Sequence, residues 1–214
     1  ALCEDTGYIS GKICSCVKEI AKNIITTELC SVMPINECTF DNFELKYYTD
    51  ADSEKRMRSI LKVCKEYAEN FNPENSANLL FMGAAGLGKT HLSLAIAGEA
   101  IKKGYLPVYG PAENLFNEIE KERFCSYGNE SNSYNTMINC DLLIIDDLGS
   151  EFMTTLSKSI LYNLINSRIL SRKPTIISTN LNMKELESFY SPRITSRLIG
   201  NYDARLFLGK DIRQ

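Results

Sequence analysis

The chain has 214 residues, of which 44% are hydrophobic and 24% charged, and its formal net charge is -3. This length suffices for one well-buried α/β domain with a small appendage but is short for two full domains. No segment approaches the apolar run of about 18 residues that a membrane span needs, and the N-terminus lacks the pattern of a secretory or transit peptide. We therefore expect a cytoplasmic protein without membrane contact, trimmed at its N-terminus because no Met begins it.

The net charge conceals an uneven distribution along the chain. Residues 158–214 contain ten Lys or Arg and four Asp or Glu, which gives this segment a charge of +6 and leaves -9 for the rest. Such an asymmetry is typical of a surface that meets phosphates or an acidic partner. A solvated basic face explains it equally well.

Three of the eight cysteines, Cys3, Cys14 and Cys16, surround a Gly-containing turn, as thiolates do in a small zinc knuckle. The fourth ligand is missing, so this pattern predicts a structural Zn²⁺ only in an intact chain with a further Cys before Ala1. The remaining cysteines lie singly, without the spacing of metal ligands, and we interpret them as reduced thiols. They are Cys30, Cys38, Cys64, Cys125 and Cys140.

The predicted elements begin with an appendage, residues 1–36, that holds the Cys turn and a helix over Val17–Cys30. A helix over about Glu54–Asn70 follows, with Ser53 as its N-cap. Short apolar runs then alternate with helical patterns. The strands are predicted at Leu79–Met82, Leu106–Tyr109, Leu142–Ile145 and Thr175–Ser178, and the helices at Lys89–Lys103, Ala112–Phe124 and Thr155–Ser171.

Apolar strands separated by helices favour a parallel sheet covered on both faces, and hence a three-layer α/β fold over residues 37–214. The polar stretch between Phe124 and Met137 has no apolar period. We expect it to form a flexible surface loop.

The segment Gly83 to Thr90 reads GAAGLGKT and fits the P-loop pattern G-x-x-x-x-G-K-[ST] between a strand and a helix. Backbone N–H groups of such a loop surround the phosphates of ATP, and the helix N-terminus adds its partial positive charge. Lys89 reaches the β- and γ-phosphates, and Thr90 supplies a hydroxyl to Mg²⁺. We include every residue of the loop in the nucleotide site: Gly83, Ala84, Ala85, Gly86, Leu87, Gly88, Lys89 and Thr90, with His91 beside them as a packing or supporting residue.

The run Leu142 to Ile145 predicts a buried strand that delivers Asp146 and Asp147 to the crevice where open α/β sheets bind ligands. Asp146 is expected to hold Mg²⁺ through water. Asp147 is then left to polarise the attacking water, as P-loop enzymes divide these roles.

This ordered set of motifs resembles the bacterial replicative helicase loaders of the DnaC/DnaI type and their transposon relatives, the IstB-like ATPases. The resemblance covers roughly residues 39–214 and is carried by GKTHL, IIDDLGSE, the strand end Ser178 to Asn180, and SPRITSRLIG at Ser191 to Gly200. It implies an AAA+ P-loop NTPase domain with a five-stranded parallel sheet of strand order 5-1-4-3-2. It also implies a replicative DNA helicase and single-stranded DNA as partners.

The resemblance further implies roles for individual polar residues. Asn180 is the polar sensor of the γ-phosphate, although an Asn at this point can also simply cap the next helix. Arg197 is the finger that reaches the nucleotide of a neighbouring subunit through self-association, with Arg193 as the runner-up. Arg213 is the weaker candidate for a sensor within the same subunit, and any of these arginines can instead be a surface ion-pair partner.

Two departures from the family pattern stand out. Asp occupies position 147, where most AAA+ enzymes carry Glu, so water activation is expected to be slow or to fall to Glu151. The partner-binding region that usually precedes the core is reduced to the Cys turn and one helix. Helicase binding is therefore expected to lie outside this chain.

A site for single-stranded DNA requires positive charge and flat side chains. Lys121, Arg123, Phe124 and Tyr127, at the edge of the polar stretch, satisfy both demands, although a Phe that closes an amphipathic helix more often belongs to the core. Other functions stay open on the sequence alone: a helper ATPase of transposition, a nucleotide switch with little hydrolysis and, more distantly, a small-molecule P-loop kinase.

Overall fold

The computed structural model of the chain describes residues 3, 6, 8–9, 12–13, 35–125, 132–152 and 154–212. Near the N-terminus, Tyr8–Ile9 pairs antiparallel with Lys12–Ile13. The predicted helix over Val17–Cys30 lies outside the described residues.

Five parallel strands form the central sheet. They are β1 (Asn78–Met82), β2 (Pro107–Pro111), β3 (Leu142–Leu148), β4 (Thr175–Thr179) and β5 (Tyr202–Leu206). Their order across the sheet is β2-β3-β4-β1-β5. The predicted order 5-1-4-3-2 is the same order counted from the opposite edge, and it is confirmed.

Helices cover both faces of this sheet. They are α1 (Ala51–Glu69), α2 (Lys89–Lys102), α3 (Ala112–Cys125), α4 (Asn132–Asn139), α5 (Thr155–Leu170), α6 (Met183–Phe189) and α7 (Pro192–Asn201), and Leu45–Tyr47 forms a short 3-10 helix. None of the described helices is long and apolar enough to cross a membrane.

Neighbouring strand residues alternate between two apolar cores. Leu80 and Ile145 belong to the core beneath α3 to α7, whereas Phe81 and Ile144 belong to the core beneath α1 and α2. This alternation is what a strand covered on both faces requires, because successive side chains point to opposite sides of the sheet. The predicted three-layer α/β fold is therefore confirmed.

Two local predictions are wrong. The N-cap of α1 is Asp50, whose carboxylate accepts a hydrogen bond from the Ser53 N–H at 2.8 Å, so Ser53 lies within the first turn. α4 occupies part of the stretch predicted to be a flexible loop. Met137 is buried in the core, and Tyr134 and Ile138 pack against it at helical spacing. These three side chains give α4 an apolar face within a segment of polar composition.

Candidate functional site

The P-loop connects the end of β1 to the start of α2, as the sequence predicts. Gly83, Gly86 and Gly88 have φ angles of 142°, 72° and 81°, which residues with a side chain rarely adopt. Space is also restricted, since a Cβ on Gly88 would lie 2.7 Å from the Phe43 ring. The glycines therefore hold the loop in a tight curve, in which backbone N–H groups can surround an anion.

Lys89 is buried, with 5% of its surface exposed, at the start of α2. Its ammonium group donates hydrogen bonds to the carbonyl oxygens of Gly83 and Ala84, both at 2.6 Å, and to Oδ1 of Asn180 at 2.7 Å. The ammonium group is thus held against the carbonyl oxygens at the start of the P-loop. Asn180 also donates from Nδ2 to Oδ1 of Asp147 at 3.0 Å, so its amide joins the P-loop to the end of β3.

Asp146 is a buried carboxylate with 5% exposure, and three hydroxyl groups donate hydrogen bonds to it. Thr90 lies 3.1 Å from Oδ1 and 2.9 Å from Oδ2. Ser178 donates to Oδ1, and Tyr109 donates to Oδ2 at 3.1 Å. A buried carboxylate needs such donors because it has lost its water. Asp146 and Thr90 together present hard oxygen atoms of the kind that Mg²⁺ binds.

A β-bulge gives the two aspartates different surroundings. Between the pairs Ile145/Ile177 and Leu148/Thr179, β3 has two residues where β4 has one. Asp147 adopts a φ of 54°, and its backbone N–H donates to the Ser178 hydroxyl at 2.9 Å. Bulges redirect side chains in this way. Asp146 consequently stays buried while Asp147 is exposed at the cleft.

A cleft of about 320 Å³ is lined by Lys89, Thr90, Asp147 and Asn180, and its other walls come from distant parts of the chain. Cys38 and His91 line it, and Nε2 of His91 lies 2.8 Å from the Thr39 carbonyl oxygen. Ile212 also lines it, and its backbone N–H donates to the Gly86 carbonyl at 3.1 Å. The segments before α1 and after β5 therefore both reach the P-loop.

The profile of the family described as "IstB-like ATP binding protein" matches residues 23–200. The chain belongs to the IstB-like ATP-binding family.

Curated relatives of this IstB-like chain include two kinds of protein. The replicative helicase loader DnaC of Buchnera aphidicola (subspecies Acyrthosiphon pisum) is 32% identical over 167 residues, which cover 77% of this chain and 64% of the relative. An ATP-binding protein of insertion sequence IS5376 from Geobacillus stearothermophilus is 29% identical over 169 residues, which cover 79% of this chain and 62% of the relative. The chain thus spans somewhat less than two thirds of the length of these relatives.

Among solved structures, a crystal structure of the DnaC helicase loader matches with a TM-score of 0.70 at 23% identity, covering 82% of this chain and 99% of that one. At 23% identity, this match shows that the two chains share a fold and shows nothing about function. The IstB-like chain therefore has the AAA+ P-loop fold that its motifs predict.

The two arginines of α7 differ in their surroundings. Arg197 donates from Nε to Oδ1 of Asn166 at 3.0 Å and from Nη2 to the Tyr162 hydroxyl at 2.7 Å. It is therefore held against α5 of its own chain. Arg193 is exposed on the first turns of the same helix. Arg213 lies outside the described residues.

Glu151 is not positioned to activate water in this cleft. It is 6% exposed and does not line the cleft. Its Oε2 accepts a hydrogen bond from the Gly149 N–H at 2.8 Å, and its Oε1 accepts one from the Tyr190 hydroxyl. Burial, reinforced by the Glu151 charge, raises the pKa of Tyr190, so this hydroxyl stays a donor. Asp147 remains the carboxylate that faces the cleft.

The other candidate residues lie at or beyond the edge of the described regions. Lys121 is exposed on α3, whereas the side chains of Arg123 and Phe124, and the whole of Tyr127, lie outside them. Cys3 is described and buried, but Cys14 and Cys16 are not described. Within the described residues no three His, Cys, Asp or Glu side chains group so as to hold a metal ion. The DNA and zinc sites therefore stay predictions.

The sequence prediction missed two members of the site, Tyr109 on β2 and Ser178 on β4. Burial and the neighbouring Asp146 charge raise the pKa of Tyr109, so its hydroxyl remains protonated and donates. Ser178 belongs to the polar strand end Ser178 to Asn180, and that position is the sequence signal that could have identified it. Nothing in the local sequence indicates that the Tyr109 side chain reaches Asp146, because the contact depends on the pairing of β2 with β3.

Proposed function

We propose that the chain binds and hydrolyses ATP with Mg²⁺ and uses the nucleotide to load a replicative DNA helicase onto single-stranded DNA. One observation carries the ATPase part of the proposal. Lys89, Asn180 and Asp147 form a continuous hydrogen-bonded chain across one cleft, beside the Thr90 and Asp146 pair. The DnaC relatives supply the helicase and the replication context.

The nucleotide site fits a triphosphate. The P-loop supplies N–H donors and Lys89 a buried positive charge, and both favour phosphate oxygens. In this arrangement Lys89 exchanges its hydrogen bonds to the Gly83 and Ala84 carbonyls for phosphate oxygens. Asn180 is proposed to hold the attacking water beside the Asp147 carboxylate, and its hydrogen bonds to Lys89 and Asp147 support this role.

Magnesium fits the pair of Thr90 and Asp146. Their oxygen atoms lie 2.9 Å apart at the mouth of the P-loop, and Mg²⁺ prefers hydroxyl, carboxylate and phosphate oxygens. When bound, Mg²⁺ neutralises phosphate charge during phosphoryl transfer. Thr90 is expected to contact the ion directly and Asp146 to hold it through water. A zinc knuckle built on Cys3, Cys14 and Cys16 with a fourth ligand is a separate proposal.

Hydrolysis is proposed to depend on assembly. Arg197, with Arg193 as the alternative, lies on α7, and no described group of the nucleotide cleft is bonded to either guanidinium. The arginine is proposed to act on a neighbouring subunit, where its planar guanidinium would stabilise charge on the phosphate oxygens. Arg213 is proposed as the sensor within the same subunit.

Single-stranded DNA is proposed to bind near the end of α3, through Lys121, Arg123, Phe124 and Tyr127. The exposure of Lys121 supports this position.

The AAA+ domain is proposed to comprise residues 37–214, with residues 1–36 as an appendage. Since replicative helicases act on chromosomal DNA, we infer a cytoplasmic location.

A helper ATPase of transposition is the second candidate function. The relative from insertion sequence IS5376 favours it, because its identity of 29% is close to that of the DnaC relatives. A nucleotide switch that scarcely hydrolyses ATP is the third. Asp147 favours that alternative, since its carboxylate is one methylene shorter than the usual Glu.

Binding to purified partners tests these alternatives. The protein is immobilised together with any segment that precedes Ala1 in its native form. The replicative helicase of the same organism, or the transposase encoded beside the protein, is passed over it with ATP, with ADP or without nucleotide. We expect ATP-dependent retention of the helicase and none with Lys89→Ala. Retention of the transposase alone would replace the helicase proposal with the transposition one. Single-turnover hydrolysis with excess protein and DNA then separates an ATPase from a switch, since a switch returns ATP unchanged.

A further inference from the structure

Tyr109 lies on β2, the strand next to the one that carries both aspartates. Its Cα is paired with that of Ile144, while Pro111 is paired with Asp146. The ring is half-buried and packs against the core beneath α1 and α2. From there the hydroxyl reaches Oδ2 of Asp146 at 3.1 Å. The contact thus joins two strands beside Thr90, which is bonded to Asp146 and lines the nucleotide cleft.

The three hydroxyl donors of Asp146 are not equivalent. Ser178 donates only to Oδ1 and Tyr109 only to Oδ2, whereas Thr90 lies within hydrogen-bond distance of both oxygens. Thr90 is also the residue proposed to contact Mg²⁺ through its oxygen, and its single proton can be donated to only one of the two carboxylate oxygens at a time. Ser178 and Tyr109 are therefore the donors that hold both oxygens together, one on each.

We propose that Tyr109 is a positioning residue that holds Asp146 in the orientation required for Mg²⁺ binding. The proposal rests on the function proposed above, in which Asp146 and Thr90 hold the ion. A donor on each oxygen fixes the plane of the carboxylate. Groups that orient metal-binding side chains in this way typically change metal affinity by about 10- to 100-fold when they are removed.

Phe is the matched substitution because it keeps the ring and removes only the hydroxyl. The control is Tyr67→Phe, which removes a hydroxyl that donates to the Ala77 carbonyl at 2.9 Å, among residues that do not line the nucleotide cleft. Both variants lose one tyrosine hydrogen bond. A general effect on folding therefore appears in both, and an effect on metal binding only in Tyr109→Phe.

The experiment measures binding of a fluorescent ATP analogue to the full chain, first in EDTA and then during a Mg²⁺ titration. For Tyr109→Phe we expect unchanged affinity in EDTA and an increase of about tenfold in the Mg²⁺ concentration that gives half of the metal-dependent tightening. Electron paramagnetic resonance of Mn²⁺ with bound nucleotide gives the same comparison without hydrolysis. Tyr67→Phe should match the wild-type chain in both measurements.

Failure of this inference is distinct from failure of the proposed function. If Asp146→Asn abolishes the metal-dependent tightening while Tyr109→Phe behaves like Tyr67→Phe, the metal site stands and Tyr109 has no positioning role. If Asp146→Asn keeps the metal-dependent tightening, the proposed metal site itself is wrong. Thermal unfolding of each variant confirms that it is folded before titration. If Tyr109→Phe does not fold, partial replacement of tyrosine by 3-fluorotyrosine provides a ¹⁹F signal from Tyr109, which must shift on Mg²⁺ titration if the inference is correct.

Discussion

The guanidinium of Arg197 lies over the ring of Tyr162, with Cζ 4.4 Å from the ring centroid. A cation above an aromatic face is favourably placed, and the hydrogen bond from Nη2 to the Tyr162 hydroxyl fixes it there. The arginine proposed to act on a neighbouring nucleotide is therefore already ordered within its own subunit. Little further ordering is needed when a second subunit docks.

Arg197→Ala should leave nucleotide binding unchanged and lower hydrolysis in the assembly by about 10³-fold, the usual contribution of an arginine that stabilises the transferring phosphate. Steady-state hydrolysis over a range of protein concentrations measures the effect. Arg193→Ala is the matched control from the same helix, and its rate of hydrolysis should fall less than that of Arg197→Ala. An assembly that hydrolyses ATP at the wild-type rate with Ala at position 197 would exclude this residue as the finger.

Asn180→Ala should retain ATP binding within a few-fold and lower the single-turnover rate by about 10²-fold, as expected when a preorganised polar group is removed. Lys89→Ala should abolish binding. Asn182→Ala is the control, since Asn182 only caps α6, where it accepts hydrogen bonds from the N–H groups of Lys184 and Glu185. Equal single-turnover rates for the two Asn variants would show that Asn180 has no role in hydrolysis beyond its structural contacts.

Asp147→Glu should raise the single-turnover rate several-fold, because the longer carboxylate reaches further into the cleft. Asp147→Asn should lower it by about 10²-fold or more, since the amide cannot accept a proton. Rates are measured at saturating ATP and DNA. Glu151→Gln serves as the comparison and should mainly affect stability, because Glu151 is bonded to Tyr190 and Gly149. The assignment fails if Glu151→Gln alone stops hydrolysis.

Arg168 is fully buried on α5 and donates to four backbone carbonyls and two side chains. The carbonyl acceptors are Met137, Ile138, Cys140 and Pro174, and the side-chain acceptors are the Thr175 hydroxyl and the Cys140 thiol. Burial lowers the pKa of Arg168, because desolvation disfavours the charged guanidinium. The carbonyl dipoles that accept its hydrogen bonds offset much of this desolvation.

Arg168→Met should therefore reduce the free energy of unfolding by at least about 3 kcal/mol, because several buried carbonyls lose their donor. Urea unfolding measures this change. Arg172→Met, at an exposed position four residues later, should stay within about 0.5 kcal/mol of the wild-type chain. Similar midpoints for the two variants would contradict this role for Arg168.

Tyr48 should make stability depend on pH in the alkaline range. Burial raises the pKa of Tyr48 to about 12, and its hydroxyl donates to the Leu87 carbonyl of the P-loop at 2.9 Å. Because the folded pKa is higher than the unfolded one, the stabilisation is fully present below about pH 10 and is lost as the pH rises towards 12. Unfolding midpoints of the wild-type chain and Tyr48→Phe should converge over this window, and a constant difference would contradict the prediction.

Much of the site could be predicted because its chemistry is local in sequence. Gly83 to Thr90 must form a tight loop before a helix, and the apolar run before Asp146 must form a buried strand. The prediction failed where local composition and tertiary burial disagree. α4 carries polar residues on most positions, and only the core contacts of Tyr134, Met137 and Ile138 reveal why it is helical.

The sequence by itself determined the P-loop, the acidic strand end and the layered α/β order, because each follows from residue type at a fixed spacing along one segment. Only the tertiary structure decided which aspartate is buried and which is exposed, since the bulge at Asp147 depends on how β3 pairs with β4. It likewise decided that Tyr109 contacts Asp146, and that Arg168 is buried among carbonyl groups. These contacts join side chains from separate segments, and their partners are set by strand order and helix packing, which no single segment encodes.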